Sequence, residues 1–135
     1  MIRADLEEFP RLVAWTEGLA GRLELPASTS FAIQLCLEEA FSNIVRHGVC
    51  DRSDGSDRDT NVRLTLARDD GAVVMTVEDS GAAFDPLTVA PHATPASIED
   101  AVVGGQGIHL MRQFSQRMEY DRLDGVNRLR LHFTL

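Results

Sequence analysis

Apolar positions along the chain change period several times, and each change marks an element. From about Glu7 to Arg22, residues Phe9, Leu12, Val13, Trp15, Leu19 and Leu23 recur mostly at three- and four-residue intervals. That spacing predicts an amphipathic helix with Gly21 near its end. Pro26 and Ser28 suit the start of a second helix, since proline fits a first turn and serine can cap one. The second helix is expected to run to His47 and to stop at Gly48, a residue suited to the left-handed position after a C-terminus. Within it Ile33, Leu37, Ala40, Phe41, Ile44 and Val45 gather as a buried side, whereas Glu39, Asn43 and His47 recur every fourth residue. At ~3.6 residues per turn these three lie about 40° apart and form one polar stripe about 12 Å long. Glu38 points about 140° away from Asn43, so only Glu39 can work beside it. A carboxylate and a carboxamide at this spacing suit an acid/base and metal pair, and equally suit two ordinary surface residues.

The period then shortens to two. Val62, Leu64 and Leu66 predict a strand, Asp69-Asp70-Gly71 a turn, and Ala72 to Val77 a second strand that ends on Glu78-Asp79-Ser80-Gly81. Cys50 to Thr60 is polar and rich in turn formers, and reads as an exposed loop. Phe84 to Val103 is interrupted by Pro86, Pro91 and Pro95; a stretch of that length without periodicity is often a lid or binding loop. Gly104-Gly105-Gln106-Gly107 then opens a helix carrying Ile108, Leu110, Met111 and Phe114. Met118 to Leu123, a turn at Asp124-Gly125, and Leu129, Leu131, Phe133 and Leu135 predict a last hairpin. Helix, helix, hairpin, loop, helix, hairpin favours an antiparallel α+β sandwich over a doubly wound parallel sheet.

Composition narrows the function classes. The 135 residues are enough for one domain with a real core, and neither a repeat nor a linker divides them, so one domain over residues 1–135 is expected. A net charge of −8 argues against binding a phosphate backbone, so no nucleic-acid partner is expected. Nothing approaches the ~20 apolar residues of a membrane span. The N-terminus MIRADLEEFPRL has no secretory pattern, and Cys36 and Cys50 lack metal spacing, so reduced thiols and a cytoplasmic location are expected.

Two segments carry candidate chemistry besides the helix stripe. Asp79, at the end of a predicted buried strand, could accept a hydrogen bond from an exocyclic amine, and Gly81 lets backbone approach a flat ring; Asp-Ser-Gly is also an ordinary turn. Gly104-Gly105-Gln106-Gly107 at a helix start frees backbone N–H groups for an anion, or serves as a hinge. It matches neither a dinucleotide fingerprint nor a Gly-Lys-Ser/Thr phosphate loop. His47 in the last turn of its helix suits capping of free carbonyls; His109, two residues after Gly107, could meet a phosphate or lie on the helix surface. Arg46 and Arg112 read as solvated positions before they read as phosphate partners.

Taken in order, Glu39-x-x-x-Asn43-x-x-x-His47, Asp79-x-Gly81 with Phe84-Asp85-Pro86, and Gly105-x-Gly107 resemble the N, G1 and G2 boxes of the GHKL ATPase superfamily, which shares the Bergerat nucleotide-binding fold. More narrowly, the chain resembles the anti-sigma-factor serine/threonine kinases of bacterial partner-switching systems. The resemblance covers nearly the whole chain. It implies a histidine-kinase-like ATPase fold: an α+β two-layer sandwich of a mostly antiparallel mixed sheet covered by helices on one face. It implies ATP and Mg²⁺ as cofactors, with Asn43 the metal ligand, Asp79 reading the adenine amine, Gly81 admitting the base, Gly105 and Gly107 around the phosphates, and Glu39 the general base. His109 falls within the nucleotide-binding set, and residues from about 87 to 104 would be the ATP lid.

Ala83 stands where many family members have a second glycine, and it joins the expected binding set because its side chain is small. An edge strand before the first helix could come only from Met1 to Ala4, and no phosphoacceptor-histidine helix precedes the domain, so a complete sensor histidine kinase is not expected. The partners implied are a STAS-domain anti-anti-sigma protein, a sigma factor and a second copy of the chain. The alternative is an ATP-binding partner-switch module without kinase activity, its lid gating protein binding. A slow stand-alone ATPase fits less well.

Overall fold

Three helices cover one face of a five-stranded sheet in a computed structural model that describes residues 2–3, 6–50, 60–69, 71–88 and 106–135. The strands are β1 (Ile2–Arg3), β2 (Asn61–Asp69), β3 (Ala72–Asp79), β4 (Arg117–Leu123) and β5 (Val126–Thr134), and the helices α1 (Phe9–Arg22), α2 (Ala27–Cys50) and α3 (Gln106–Phe114). The sheet order is β1-β2-β3-β5-β4 and every pairing among the described residues is antiparallel. The expected edge strand from the N-terminus exists: Ile2 and Arg3 pair with Val62 and Asn61. No helix among the described residues is long and apolar enough to cross a membrane.

Period-two alternation does the sorting. On β3, Val73, Met75 and Val77 are buried; on β5, Leu129, Leu131 and Phe133 are. Cross-strand register sets Val73 opposite Phe133, Met75 opposite Leu131 and Val77 opposite Leu129, so two apolar rows meet side by side beneath the helices. From above, α2 contributes Ile33, Cys36, Leu37, Ala40 and Phe41, α1 contributes Leu12, and α3 contributes Ile108 and Met111. Phe41 is fully buried and stacks on Phe9, ring centroids 6.3 Å apart. Truncating such a core aromatic costs about 3–5 kcal/mol. Burial pushes the Cys36 thiol up to about 12, and the charge of Glu39 adds to the shift, so it stays a protonated core residue.

The first helix ends at Arg22 as expected, and the second does not end where expected. The first helix closes through Leu25 N–H to Ala20 O and Glu24 N–H to Gly21 O, with Glu24 in the left-handed region at φ 55°. That is a Schellman closure in which glutamate occupies the position glycine usually takes. The second helix does not stop at Gly48 but continues to Cys50. One interior glycine weakens a helix by only about 1 kcal/mol, too little to end one held by a packed face upstream. Residues 51–59 of the expected polar loop lie outside the described residues, and Thr60 is buried rather than exposed. In the last hairpin Asp124 and Gly125 both have positive φ, 52° and 77°, as a two-residue primed turn requires.

Candidate nucleotide site

The apolar rows of β3 and β5 turn polar at the same rung. Continuing Val73, Met75, Val77 by two residues gives Asp79; continuing Phe133, Leu131, Leu129 gives Asn127, and the register sets Asp79 directly opposite Asn127. The two side chains therefore meet where the core opens. Asn127 Nδ2 donates to Asp79 Oδ1 at 3.0 Å and to the Ala82 carbonyl at 2.8 Å. Gly81 N–H also donates to Asp79 Oδ1, at 2.9 Å, closing a tight turn after β3. A Cβ on Gly81 would stand 3.0 Å from Asp79 Oδ1 and 3.3 Å from Thr60 Cγ2, so any larger residue here would press on the Asp79 carboxylate. Burial pushes the Asp79 carboxyl above the usual aspartate range, against the opposing pull of the Asn127 bond, the Gly81 N–H and the Arg122 charge.

Asp79 and Asn43 line one cleft. Ala40, Asn43 and Ile44 of α2 form its roof, Val77 and Leu129 its apolar floor, and Phe84 and Pro86 one wall, with Met111 and Tyr120 completing it. Apolar walls with a few convergent polar groups are the make-up of a small-molecule site. Asn43 is buried, and its Nδ2 has no hydrogen-bond partner among the described residues. Native structures rarely leave a buried amide so, and an orphan beside a cleft marks a place where a ligand completes the bonding. The carboxamide can present its hard oxygen to a divalent cation whose remaining ligands come from phosphates and water. The orphan Nδ2 is a donor that a phosphate oxygen would satisfy, while the hard oxygen of the same carboxamide is of the kind a divalent cation takes, so the donor set fits Mg²⁺ beside phosphates.

The remaining candidates separate. Glu39 is half-buried one turn before Asn43 but does not line the described cleft. Burial raises its pKa from the ordinary glutamate value, helped by the charge of Glu38 and opposed by Arg46. Ala83 is exposed and Ala82 lines the cleft in its place, because the turn after Gly81 directs residue 82 inward. Gly107 lies in the first turn of α3, whereas Gly105 and most of the expected lid lie outside the described residues; Leu87 and Thr88, at the lid's start, belong to a 3-10 turn over Pro86–Thr88. Asp85 Oδ1 accepts from Leu87 N–H at 2.8 Å, and Arg112 Nη2 donates to the Leu87 carbonyl at 3.0 Å, so Arg112 tethers this turn rather than pointing to solvent. His109 is exposed on α3. The side chain of His47 lies outside the described residues.

Sequence reading missed Asn127, Tyr120 and Arg122. Tyr120 O–H and Arg122 Nη1 both donate to Asn127 Oδ1, the arginine at 2.8 Å, and Arg122 Nη1 also reaches the Gly81 carbonyl at 3.1 Å. One signal was present: Asn127 is the single polar residue in the inward row Asn127, Leu129, Leu131, Phe133.

A family model described as histidine kinase-like ATPase domain matches residues 2–133. The serine/threonine-protein kinase BtrW of Bordetella bronchiseptica is 35% identical over 117 residues, 87% of this chain and 79% of that protein. The serine-protein kinase RsbW of Bacillus pumilus is 26% identical over 113 residues, 81% of this chain and 68% of that protein. Among solved structures, a blue-light activated histidine kinase of Erythrobacter litoralis EL346 superimposes with TM-score 0.58 at 22% identity; the match covers 82% of this chain but only 31% of that one. A chain of the SiaB–SiaC complex from Pseudomonas aeruginosa gives TM-score 0.58 at 11% identity, covering 97% of this chain and 85% of that one. At such identities the two structures speak for the fold alone.

Proposed function

This chain belongs to the histidine kinase-like ATPase domain family, and from that premise we propose that it is an ATP-dependent protein serine/threonine kinase. Its substrate in this reading is a STAS-type antagonist protein, and it acts as an anti-sigma factor by sequestering a sigma factor when the antagonist is phosphorylated. A homodimer and a cytoplasmic setting belong to the same proposal. The observation that carries it is the pairing of Asn43 and Asp79 across one apolar cleft, with Glu39 a turn away. The relatives named as serine or serine/threonine kinases, at 35% and 26% identity, support it.

The residues divide the work. Asp79 accepts from the exocyclic amine of adenine through the oxygen that its neighbours leave open. Asn43 would hold Mg²⁺ by its side-chain oxygen, and Gly105 and Gly107 would serve the phosphates with backbone N–H groups. When bound, the ion supplies positive charge to the phosphate oxygens and so lowers the barrier to displacement. Glu39 takes the proton from the serine or threonine hydroxyl as that oxygen bonds to the γ-phosphorus and ADP leaves. Burial suits Glu39 to the task by raising its affinity for that proton.

A second reading rests on the position of Glu39 outside the described cleft lining: a nucleotide-dependent binding module without phosphotransfer. One experiment separates them. The protein is incubated with γ-labelled ATP, Mg²⁺ and a STAS-domain partner. Label on a partner serine or threonine supports the kinase. ATP binding by calorimetry with no labelled partner supports the module, and no ATP binding in the presence of Mg²⁺ overturns both.

A further inference from the structure

The Asn127 side chain has no bonding capacity left. An amide offers two donor hydrogens and two acceptor lone pairs. Both hydrogens are used, one on Asp79 Oδ1 and one on the Ala82 carbonyl. Its oxygen takes Arg122 Nη1 and Tyr120 O–H, with Phe84 N–H at 3.5 Å as a third, longer donor. Three donors around one oxygen also fix which way the amide faces, since a flipped amide would point its own N–H groups at them. Asn127 can therefore read no base itself. What it can do is hold Asp79, whose Oδ1 is pinned between the Asn127 amide and the Gly81 N–H. Among the described residues, every hydrogen bond to the Asp79 carboxylate falls on Oδ1, which leaves Oδ2 as the oxygen uncommitted among them and available to a ligand.

Arg122 completes the arrangement from β4, the strand beside β5, where it lies opposite Asn127 in the register. Its Nη1 joins Asn127 Oδ1 to the Gly81 carbonyl, and so ties the turn after β3 to the amide that orients Asp79. The link spans 41 residues between Arg122 and Gly81.

We propose that Arg122 and Asn127 form a positioning clamp that sets base selectivity: by holding Asp79 through Oδ1, they present Oδ2 as a single fixed acceptor that selects a purine carrying an exocyclic amine at the 6-position over one carrying a carbonyl there. This rests on the reading of the cleft as an ATP site. A carboxylate acceptor pairs with an amine donor and repels a carbonyl oxygen, but only while the carboxylate cannot turn to avoid the mismatch. The clamp removes that freedom. Loosened, Asp79 can rotate, lose its directed bond to the amine, and relieve its clash with a carbonyl.

The test compares binding of ATP and inosine triphosphate, which differ in that one substituent, by calorimetry with Mg²⁺ on the full chain. The wild-type protein is expected to favour ATP by a hundredfold or more. Arg122→Met keeps the aliphatic stem but no donor, and is expected to cut that preference about tenfold, chiefly by weakening ATP. Arg122→Lys, which keeps a charged donor, is expected to restore part of it. Asn127→Leu is expected to abolish the preference; because Asn127 is buried and this variant can fail to fold, the decision rests on the exposed Arg122 pair. A general loss of fold would weaken both nucleotides equally and leave the ratio unchanged. An unchanged ratio in a folded Arg122→Met protein overturns the clamp while leaving the ATP site standing. Absence of ATP binding by the wild type overturns the site, and the clamp with it.

Discussion

Replacing Asn43 with leucine exchanges a buried amide for an apolar side chain of similar size, and the structure sets opposite signs for its two effects. Asn43 Nδ2 has no hydrogen-bond partner among the described residues while Ala40, Ile44 and Met111 share its cleft. A buried polar group left unsatisfied costs about 1–3 kcal/mol. Leucine removes that penalty and adds apolar contact, so the nucleotide-free variant should be more stable by about 1–3 kcal/mol. For a domain of this size that is a rise in Tm of roughly 4 °C per kcal/mol. Mg-ATP acts the other way. At about a thousand times its Kd a ligand stabilises the folded state by about 4 kcal/mol, a gain open to the wild-type protein and closed to a variant without the anchoring amide. Thermal or urea unfolding of both proteins, with and without Mg-ATP, should show the variant ahead without nucleotide and behind with it. If the nucleotide-free variant is the less stable of the two, the amide is not an uncompensated burden and the argument fails. If Mg-ATP stabilises both equally, Asn43 is not the anchor.

Other perturbations probe neighbouring parts. Gly81→Ala brings a methyl to 3.0 Å from Asp79 Oδ1, an atom held by two bonds, so ATP affinity should fall about tenfold with under about 2 kcal/mol lost in a melt. Glu39→Gln should keep ATP binding, measured by calorimetry, and lose about a hundredfold or more in phosphotransfer to a STAS partner; unchanged transfer would remove Glu39 from the chemistry. Because burial raises the Glu39 pKa and a base works only when deprotonated, the transfer rate should fall as pH drops, with its midpoint above the ordinary glutamate range. Glu24→Gly should stabilise by about 0.5–1 kcal/mol in urea unfolding, since φ 55° is unfavourable for glutamate and open to glycine.

Much of this molecule can be read from periodicity. Val73, Met75 and Val77 alternate because a strand in a two-layer fold has one buried face, and Ile33, Leu37, Ala40 and Phe41 recur because a helix must bury a stripe. The same local rules placed Asp79 at the end of its strand, whereas Asn43, which periodicity assigns to a polar stripe, is buried beside Ala40 and Ile44. Where they failed, a longer-range force had won. Packing upstream carries α2 through Gly48, and the turn closed on Asp79 directs Ala82 rather than Ala83 into the cleft. Arg112 reads as a surface position by period and is drawn instead to the Leu87 carbonyl, 25 residues back.

The amino-acid sequence by itself determined most of the elements and their buried faces, because backbone geometry makes those properties local. Tertiary structure alone decided which polar groups are committed and which are free. Register between β3 and β5, strands far apart in the chain, sets Asn127 against Asp79 and closes that amide on every side. Packing of α2 over the sheet leaves the Asn43 Nδ2 buried and without a partner among the described residues. Hydrogen bonds reach only about 3 Å, so whether a polar side chain is spent or available depends on neighbours that folding brings from far along the chain.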